Sequence, residues 1–445
     1  MNTFQLVVVG IFGFSVILAL IVFSTQDPKT DDSKIEYGEV LVWGILPERS
    51  IRSILNGIDL NINVEYEQKT ETGLQQEIYR APFSNKKIPD LVIFPQGEYL
   101  NYRIFLKALP KFQAYPELAV SERDFMSTFI EQAEMYIEQD GIYALPIVVD
   151  PMVMYWNRSI FASNAVSEVP DEWDDFKLLV PKMALIGDDT SIKRSVLPFG
   201  EYVNITHVKD IVSMLIMQLG APIVDADRGN LTVNVNDPIE NVYPGKTALE
   251  FFMEFSNQSL PTYNWNRSLP SSKDMFVAGD SAVYFGYASE IPEIQKTNPH
   301  LNFDVAMVPQ KRGADIKLTY GNMVGIGLLD SSQNQFGAMK VASLLSGAHG
   351  DIEYPLLISD GLGLPPTHRA LLSNIPDDVH MSVFYEAANV SSSWPDPSST
   401  QTDRVFETAI EGLLSNRFQA DVAITTLERQ LMQIITEYEK ENRDI

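Results

Sequence analysis

The chain of 445 residues contains no cysteine. That excludes disulfides, thiol nucleophiles and thiolate-ligated metals, and also the acylated cysteine that holds a bacterial lipoprotein. Positive charge is scarce: 33 Lys and Arg stand against 59 Asp and Glu, a formal net charge of −26. A chain of that sign repels phosphate backbones and anionic lipid, so neither nucleic acid nor an anionic membrane surface is expected as a partner. The histidines, His207, His300, His349, His368 and His380, are scattered, and no pair has the spacing of a helix-borne zinc site. There is no G-x-S-x-G elbow and no phosphate-cradling loop, and Gly325-x-Gly327 and Gly361-x-Gly363 lack the rest of a dinucleotide fingerprint. The acidic group Asp171, Glu172, Asp174 and Asp175 reads as a solvated first helical turn that complements the helix dipole, not as a metal site. No metal and no cofactor is expected. Nothing marks a pair of catalytic carboxylates, although such partners can be distant in sequence.

What is present begins with Phe4 to Phe23, 20 residues without a charge. That length spans a bilayer as a helix. No Lys or Arg precedes it and Val22-Phe23-Ser24 is a poor cleavage site, so an uncleaved anchor at 4–23 is expected in preference to a signal peptide. A polar linker, 24–35, follows. The remaining 400 or so residues exceed what one core organises, and two lobes are expected. Glu39 to Gly44, Ile62 to Tyr66 and Ile88 to Phe94 read as strands with helices between them. That alternation implies a parallel α/β sheet, whose ligands sit beyond the carboxyl ends of its strands. Trp43 and Phe94–Gln96 mark those ends. Leu145–Val149 and Met152–Trp156 read as two β-prone runs meeting at Asp150-Pro151. Such a joint suits either a chain passing between lobes or an ordinary hairpin. Further on, Ile205 to Leu219 reads as an amphipathic helix, Pro244 to Asn257 as another, Ala282 to Tyr287 as a strand ending in aromatics, and 402–414 and 420–441 as the last helices.

Several stretches, in order, resemble the family 1 extracellular solute-binding proteins, the sugar-binding subunits of ABC importers and the family that includes the maltose-binding protein. Leu145-Pro146…Asp150…Tyr155-Trp156-Asn157-Arg158…Phe161…Val169-Pro170-Asp171-Glu172-Trp173…Phe176 is similar to that family's "LP…YNK…LF…P.TW.EF". Phe276-Val277-Ala278-Gly279-Asp280-Ser281-Ala282-Val283 is similar to "F..GK.AM", and Val305-Ala306-Met307-Val308-Pro309 to "VA..P". Ile88–Val92 resembles the "PDV" strand, and Gln218–Ala221 the "..GG" helix end. The lipobox cysteine is missing, so the apolar run would take its place. Trp156 stands for a usual Tyr and Asp280 for a usual Lys.

The resemblance implies a two-lobed periplasmic-binding-protein-like fold of type II, with a hinge and an interlobe cleft, behind one N-terminal transmembrane helix. It places lobe 1 at 36–149 plus 307–365 and lobe 2 at 150–306 plus 366–445. It implies a monomer that does not act as an enzyme, works on the extracytoplasmic face of the bacterial cell membrane, and captures a sugar or oligosaccharide for ABC permease subunits. A cell-surface carbohydrate-active hydrolase, or a sensor on the same fold, is the alternative. A sugar presents an apolar face and a rim of hydroxyls, so aromatic rings and polar side chains are the candidates. By position the rim residues are Gln96, Asp150 and Asn322, and the faces are Trp43, Tyr202, Tyr284, Tyr287, Tyr320 and Trp394. Trp156, Trp173 and Trp265 are assigned to the core.

Overall fold

The computed structural model describes residues 37–443 apart from 59–61, 84–86, 112–117 and 315. The apolar run 4–23 and the linker 24–35 lie outside the described residues. Among the described residues, no helix is long and apolar enough to cross a membrane.

One mixed sheet runs through the molecule. Its strands are β1 (Gly38–Gly44), β2 (Ile62–Gln68), β3 (Leu91–Pro95), β4 (Ala144–Asn157), β5 (Val283–Tyr287), β6 (Phe303–Ala306), β7 (Thr319–Leu328) and β8 (Ser391–Ser392). The order is β5-β4-β7-β3-β1-β2, with β6 also on β4 and β8 also on β7. β1 is parallel to β2 and β3, as the alternation of strands and helices predicts. The long strands β4 and β7 are antiparallel to each other, and β7 is antiparallel to β3. The joint read at Asp150-Pro151 is not a turn. β4 runs through it as one strand of 14 residues. Pro146 and Pro151 each cost that strand one N–H, and both face glycines on β7, Gly325 and Gly321.

Two apolar cores flank these long strands. The first gathers Val40–Trp43, Leu91–Phe94, Ile147–Val149, Met323, Ile326 and Leu328. The second gathers Met152, Met154, Phe199, Trp265, Phe285 and Phe406. Helix α1 (Val208–Gln218) belongs to the second core. Val208 and every residue from Ile211 to Met217 are buried, so it is an internal helix and not the two-faced one expected. Helix α2 (Val379–Asn389) packs its Phe384, Tyr385, Ala387 and Ala388 into the first core. Helices α3 (Ser399–Leu414) and α4 (Ala420–Arg443) pack on each other in the second. On α4 the buried residues Ala423, Ile424, Leu427, Leu431 and Ile435 recur at helical spacing, which is what a surface helix with one apolar stripe requires.

β4, β7 and the segment 389–395 are the three passages between the cores, and they are packed tightly. A Cβ placed on Gly321 of β7 would lie 2.7 Å from Cβ of Ser391 and 3.1 Å from Oε1 of Gln132. Gly321→Ala is therefore expected to cost about 1–3 kcal/mol through overpacking. Urea denaturation measures it, and an unchanged midpoint would show that β8 can move aside freely.

Candidate functional site

The register of β5, β4 and β7 brings four of the sequence candidates onto one face. Asp150 on β4 is directly opposite Asn322 on β7. Tyr287 on β5 is opposite Met152 on β4, and one step further along, the backbone N–H of Ser289 donates to Oδ1 of Asp150 at 2.9 Å. Residues opposite each other on antiparallel strands share a face, and so do residues two apart. Ser289, Asp150 and Asn322 thus form one row across the middle of the long strands. Tyr287, Met152 and Tyr320 form the next row toward the second core. Asn322 and Ser289 are exposed and Asp150 is half-buried, so this face opens to solvent where the neighbouring residues of both strands are buried.

The second core supplies a wall to this face. Tyr287 Oη donates to Oδ2 of Asp210 at 2.6 Å. His207 begins α1 in the left-handed conformation, with φ +60°, and its Nε2 is 2.8 Å from Oε1 of Glu290. Its ring stands edge-on to Tyr287, with 4.7 Å between ring centroids. Lys209 pairs with Asp396 at 2.9 Å and with Asp403 at 3.6 Å. Tyr202 is half-buried and its hydroxyl donates to the Asp403 carbonyl. Burial pushes the Asp150 carboxyl up to about 6, against the hydrogen bonds from Ser289. Asp210 is also raised by burial, although Tyr287 hydrogen-bonds to it. Burial acts the same way on Glu290, but hydrogen bonds from His207, Lys273 and the Tyr287 N–H outweigh it and hold that carboxyl down at about 2.

The remaining sequence candidates lie elsewhere. Tyr284 is three residues from Tyr287 and so points to the other face of the sheet, where it stacks on Tyr155 and donates to Glu290. Trp43 is 1% exposed in the first core, under the ammonium of Lys69 at 4.1 Å from the ring centroid. Trp394 is also 1% exposed. Its ring stacks on Phe406, and its Nε1 donates to Ser213 Oγ at 3.1 Å. The polar sequence around it hides a ring that belongs to the second core. Gln96 is buried as well, held by Ser393 and Gln132. Trp173 and Trp265 are in the second core, as assigned, and Trp156 packs against it half-buried.

A cavity of about 660 Å³, lined in part by Gln132, Ser391, Met126, Met217 and Arg228, lies on the opposite side of the long strands. The Cβ direction of Gly321 points at Gln132 and Ser391, and its neighbour Asn322 therefore points away from them. The ion pair Arg228–Glu122, at 3.0 Å, crosses between the cores on that side.

A two-core molecule joined by long shared strands, with a polar face at their midpoint, is the build of a hinged binding protein. The family described as bacterial extracellular solute-binding protein matches residues 56–382. The chain belongs to that family. Solved structures of similar fold include a cyclic α-maltosyl-1,6-maltose binding protein from Arthrobacter globiformis, with TM-score 0.70, 14% identity, and coverage of 90% of this chain and 99% of that one. A cyclo/maltodextrin-binding protein complexed with maltotetraose gives 0.68 at 16% identity, covering 91% and 97%. A maltose/maltodextrin-binding domain from Bdellovibrio bacteriovorus bound to maltotriose gives 0.60 at 14%, covering 89% and 100%. At such identities the likeness shows the fold, which is the two-lobed one implied by the resemblance. No functionally curated protein matches the chain by sequence at a significant level. For an extracellular solute-binding protein, sequence reasoning missed the wall residues His207, Asp210 and Glu290. The one signal available was the cluster of polar residues at the start of α1.

Proposed function

We propose that this solute-binding protein is the substrate-capturing subunit of an ABC importer, and that it holds a hydroxylated solute of the carbohydrate class on the Asp150–Asn322 face without turning it over. One observation carries the reading. The register sets a carboxylate and an amide beside two tyrosines, Tyr287 and Tyr320, on the strands that join the cores. Carboxylates and amides match a rim of hydroxyls, and rings match an apolar sugar face. The sugar-bound structures among its fold neighbours support the same class. In this proposal the lobes are 36–149 plus 307–365 and 150–306 plus 366–445, with α2 carried by the first lobe because it packs there. Bending at β4, β7 and 389–395 closes the lobes on the ligand. The run 4–23 is proposed to anchor the protein to the extracytoplasmic side of the membrane, next to its permease.

A thermal-shift screen over mono- and oligosaccharides tests the proposal. A ligand that binds only the folded protein adds about 2.7 kcal/mol at 100 times its Kd. The expected result is a rise in Tm of several degrees with one saccharide series, together with a smaller radius of gyration in scattering. A rise with peptides alone would overturn the carbohydrate reading.

A further inference from the structure

We infer that the solute taken by this cleft carries a positive charge: a hydroxylated ligand with at least one protonated amine, of the amino-sugar type. The inference rests on the reading that the Asp150–Asn322 face is the ligand cleft. The hinge geometry supports that cleft independently of any charge. The charges on its wall determine which sign of ligand it admits.

Five carboxylates gather around this wall: Asp150, Asp210, Glu290, Asp403 and, buried behind Lys209, Asp396. Two lysines and one histidine stand among them, and each is already committed. Lys209 is held by Asp396 and Asp403 and also donates to Thr402 Oγ1 at 3.2 Å. Lys273 is held by Glu290 at 2.9 Å and by Glu293. His207 is held by Glu290. None of the ion pairs among the described residues includes Asp150 or Asp210. Their hydrogen-bond partners are Ser289, through its backbone N–H and its side chain, and the Tyr287 phenol.

These two acids flank a single aromatic side chain. Asp210 accepts from the hydroxyl of Tyr287, and Asp150 is one step along the same ladder from that residue. Half-buried carboxylates outside an ion pair are costly, and burial raises both carboxyls although Lys209 and His207 pull Asp210 down and His207 pulls Asp150 down. An ammonium group between them would supply the missing charge and donate hydrogen bonds to both. Tyr287 and Tyr320 are buried in the second core, and the half-buried ring of Tyr202 adds a face that attracts a cation. An anionic solute would meet the opposite situation, five acids and no uncommitted cation. A neutral sugar could use the acceptors, but it would leave both acids unneutralised.

Isothermal titration and thermal shift at pH 6.5 with matched disaccharides test this. The probes are the glucosamine dimer, its N-acetylated form and cellobiose, which share one skeleton and differ only at the amine. The glucosamine dimer is expected to bind about 10-fold more tightly than cellobiose, the difference between a charged and a neutral hydrogen-bond partner. That ratio should shrink as salt rises. Asp210→Asn and, separately, Asp150→Asn should each bring the two sugars to within about 2-fold of each other. Both are isosteric changes, so failure of one to fold leaves the other. Equal or tighter binding of cellobiose or the acetylated dimer overturns the charge inference and leaves the carbohydrate reading standing. Binding of spermidine with no saccharide does the reverse. A panel in which no amine-bearing compound raises Tm also overturns the inference.

Discussion

Replacing Asp150 with asparagine is expected to make the ligand-free protein more stable and the binding site weaker. The carboxyl titrates near 6 in the folded chain against an ordinary 3.8. Two pK units correspond to about 3 kcal/mol, so ionised Asp150 lowers folded stability by up to that amount at neutral pH. Asparagine keeps an acceptor for the Ser289 N–H and removes the charge. The expected gain is about 1–3 kcal/mol at pH 7.5, read as a higher urea midpoint. Ligand affinity should fall by about 1.5–3 kcal/mol, the range for losing a charged hydrogen bond. A variant that is less stable than the parent at pH 7.5 would show that Asp150 supports the fold.

The pH dependence of that difference has a definite sign. The folded chain takes up the Asp150 proton at a higher pH than the unfolded chain does. Between about 6 and 3.8 the folded state binds more protons, so the parent gains stability as pH falls through that window. The asparagine variant lacks this gain. The two should differ most above pH 6 and converge near pH 4. Glu290 raises the Asp150 carboxyl further and His207 lowers it, so both neighbours must be kept in the comparison.

How far the sequence reveals this protein depends on whether a signal is local. The parallel strands β1, β2 and β3 are legible because apolar runs and turn residues lie side by side in the chain. β7 is less legible. Gly321, Gly325 and Gly327 thin its side chains, and glycine weakens a strand pattern although it permits close packing against Ser391, Tyr136 and Leu106. The opposite orientations of Tyr284 and Tyr287 follow from the two-residue period alone and could have been read directly. Asp210 and His207 could not. They are neighbours of Asp150 only because α1 packs against the end of β5, a contact between segments about 60 to 80 residues apart in the chain. Trp394 misleads for the same reason. Ser391–Ser393 and Pro395-Asp396 suggest an exposed loop, while the ring is buried by Ser213, 181 residues away, and by Phe406 on the following helix α3.

The same dependence on distant partners makes Gln132 the position where a single truncation should do most damage. It is buried beside Gly321 and joins all the parts that meet at the back of the long strands. Its Nε2 donates to the Gly321 carbonyl at 2.6 Å and faces Gln96 Oε1 and Ser393 Oγ, while its Oε1 accepts from Ser391 Oγ at 2.7 Å. Gln132→Ala would remove these contacts at once and leave buried acceptors on β7 and Gln96 without this donor, while the Ser391 hydroxyl keeps only the Ala388 carbonyl at 2.9 Å. Each such group costs about 1–3 kcal/mol, and some will recover water from the adjoining cavity. The expected loss is therefore about 2–4 kcal/mol, measured by urea denaturation. Because the residue ties the 391–393 passage to the first core, amide hydrogen exchange at Thr319–Asn322 and Ser391–Ser393 should accelerate more than exchange in β1. Gln132→Glu keeps the volume and the acceptor for Ser391 but turns a donor toward the Gly321 carbonyl into a repelling carboxylate, so it should be at least as damaging. If Gln132→Ala lowers stability by less than about 1 kcal/mol and exchange rises evenly across the sheet, the network is not what holds the third passage in place.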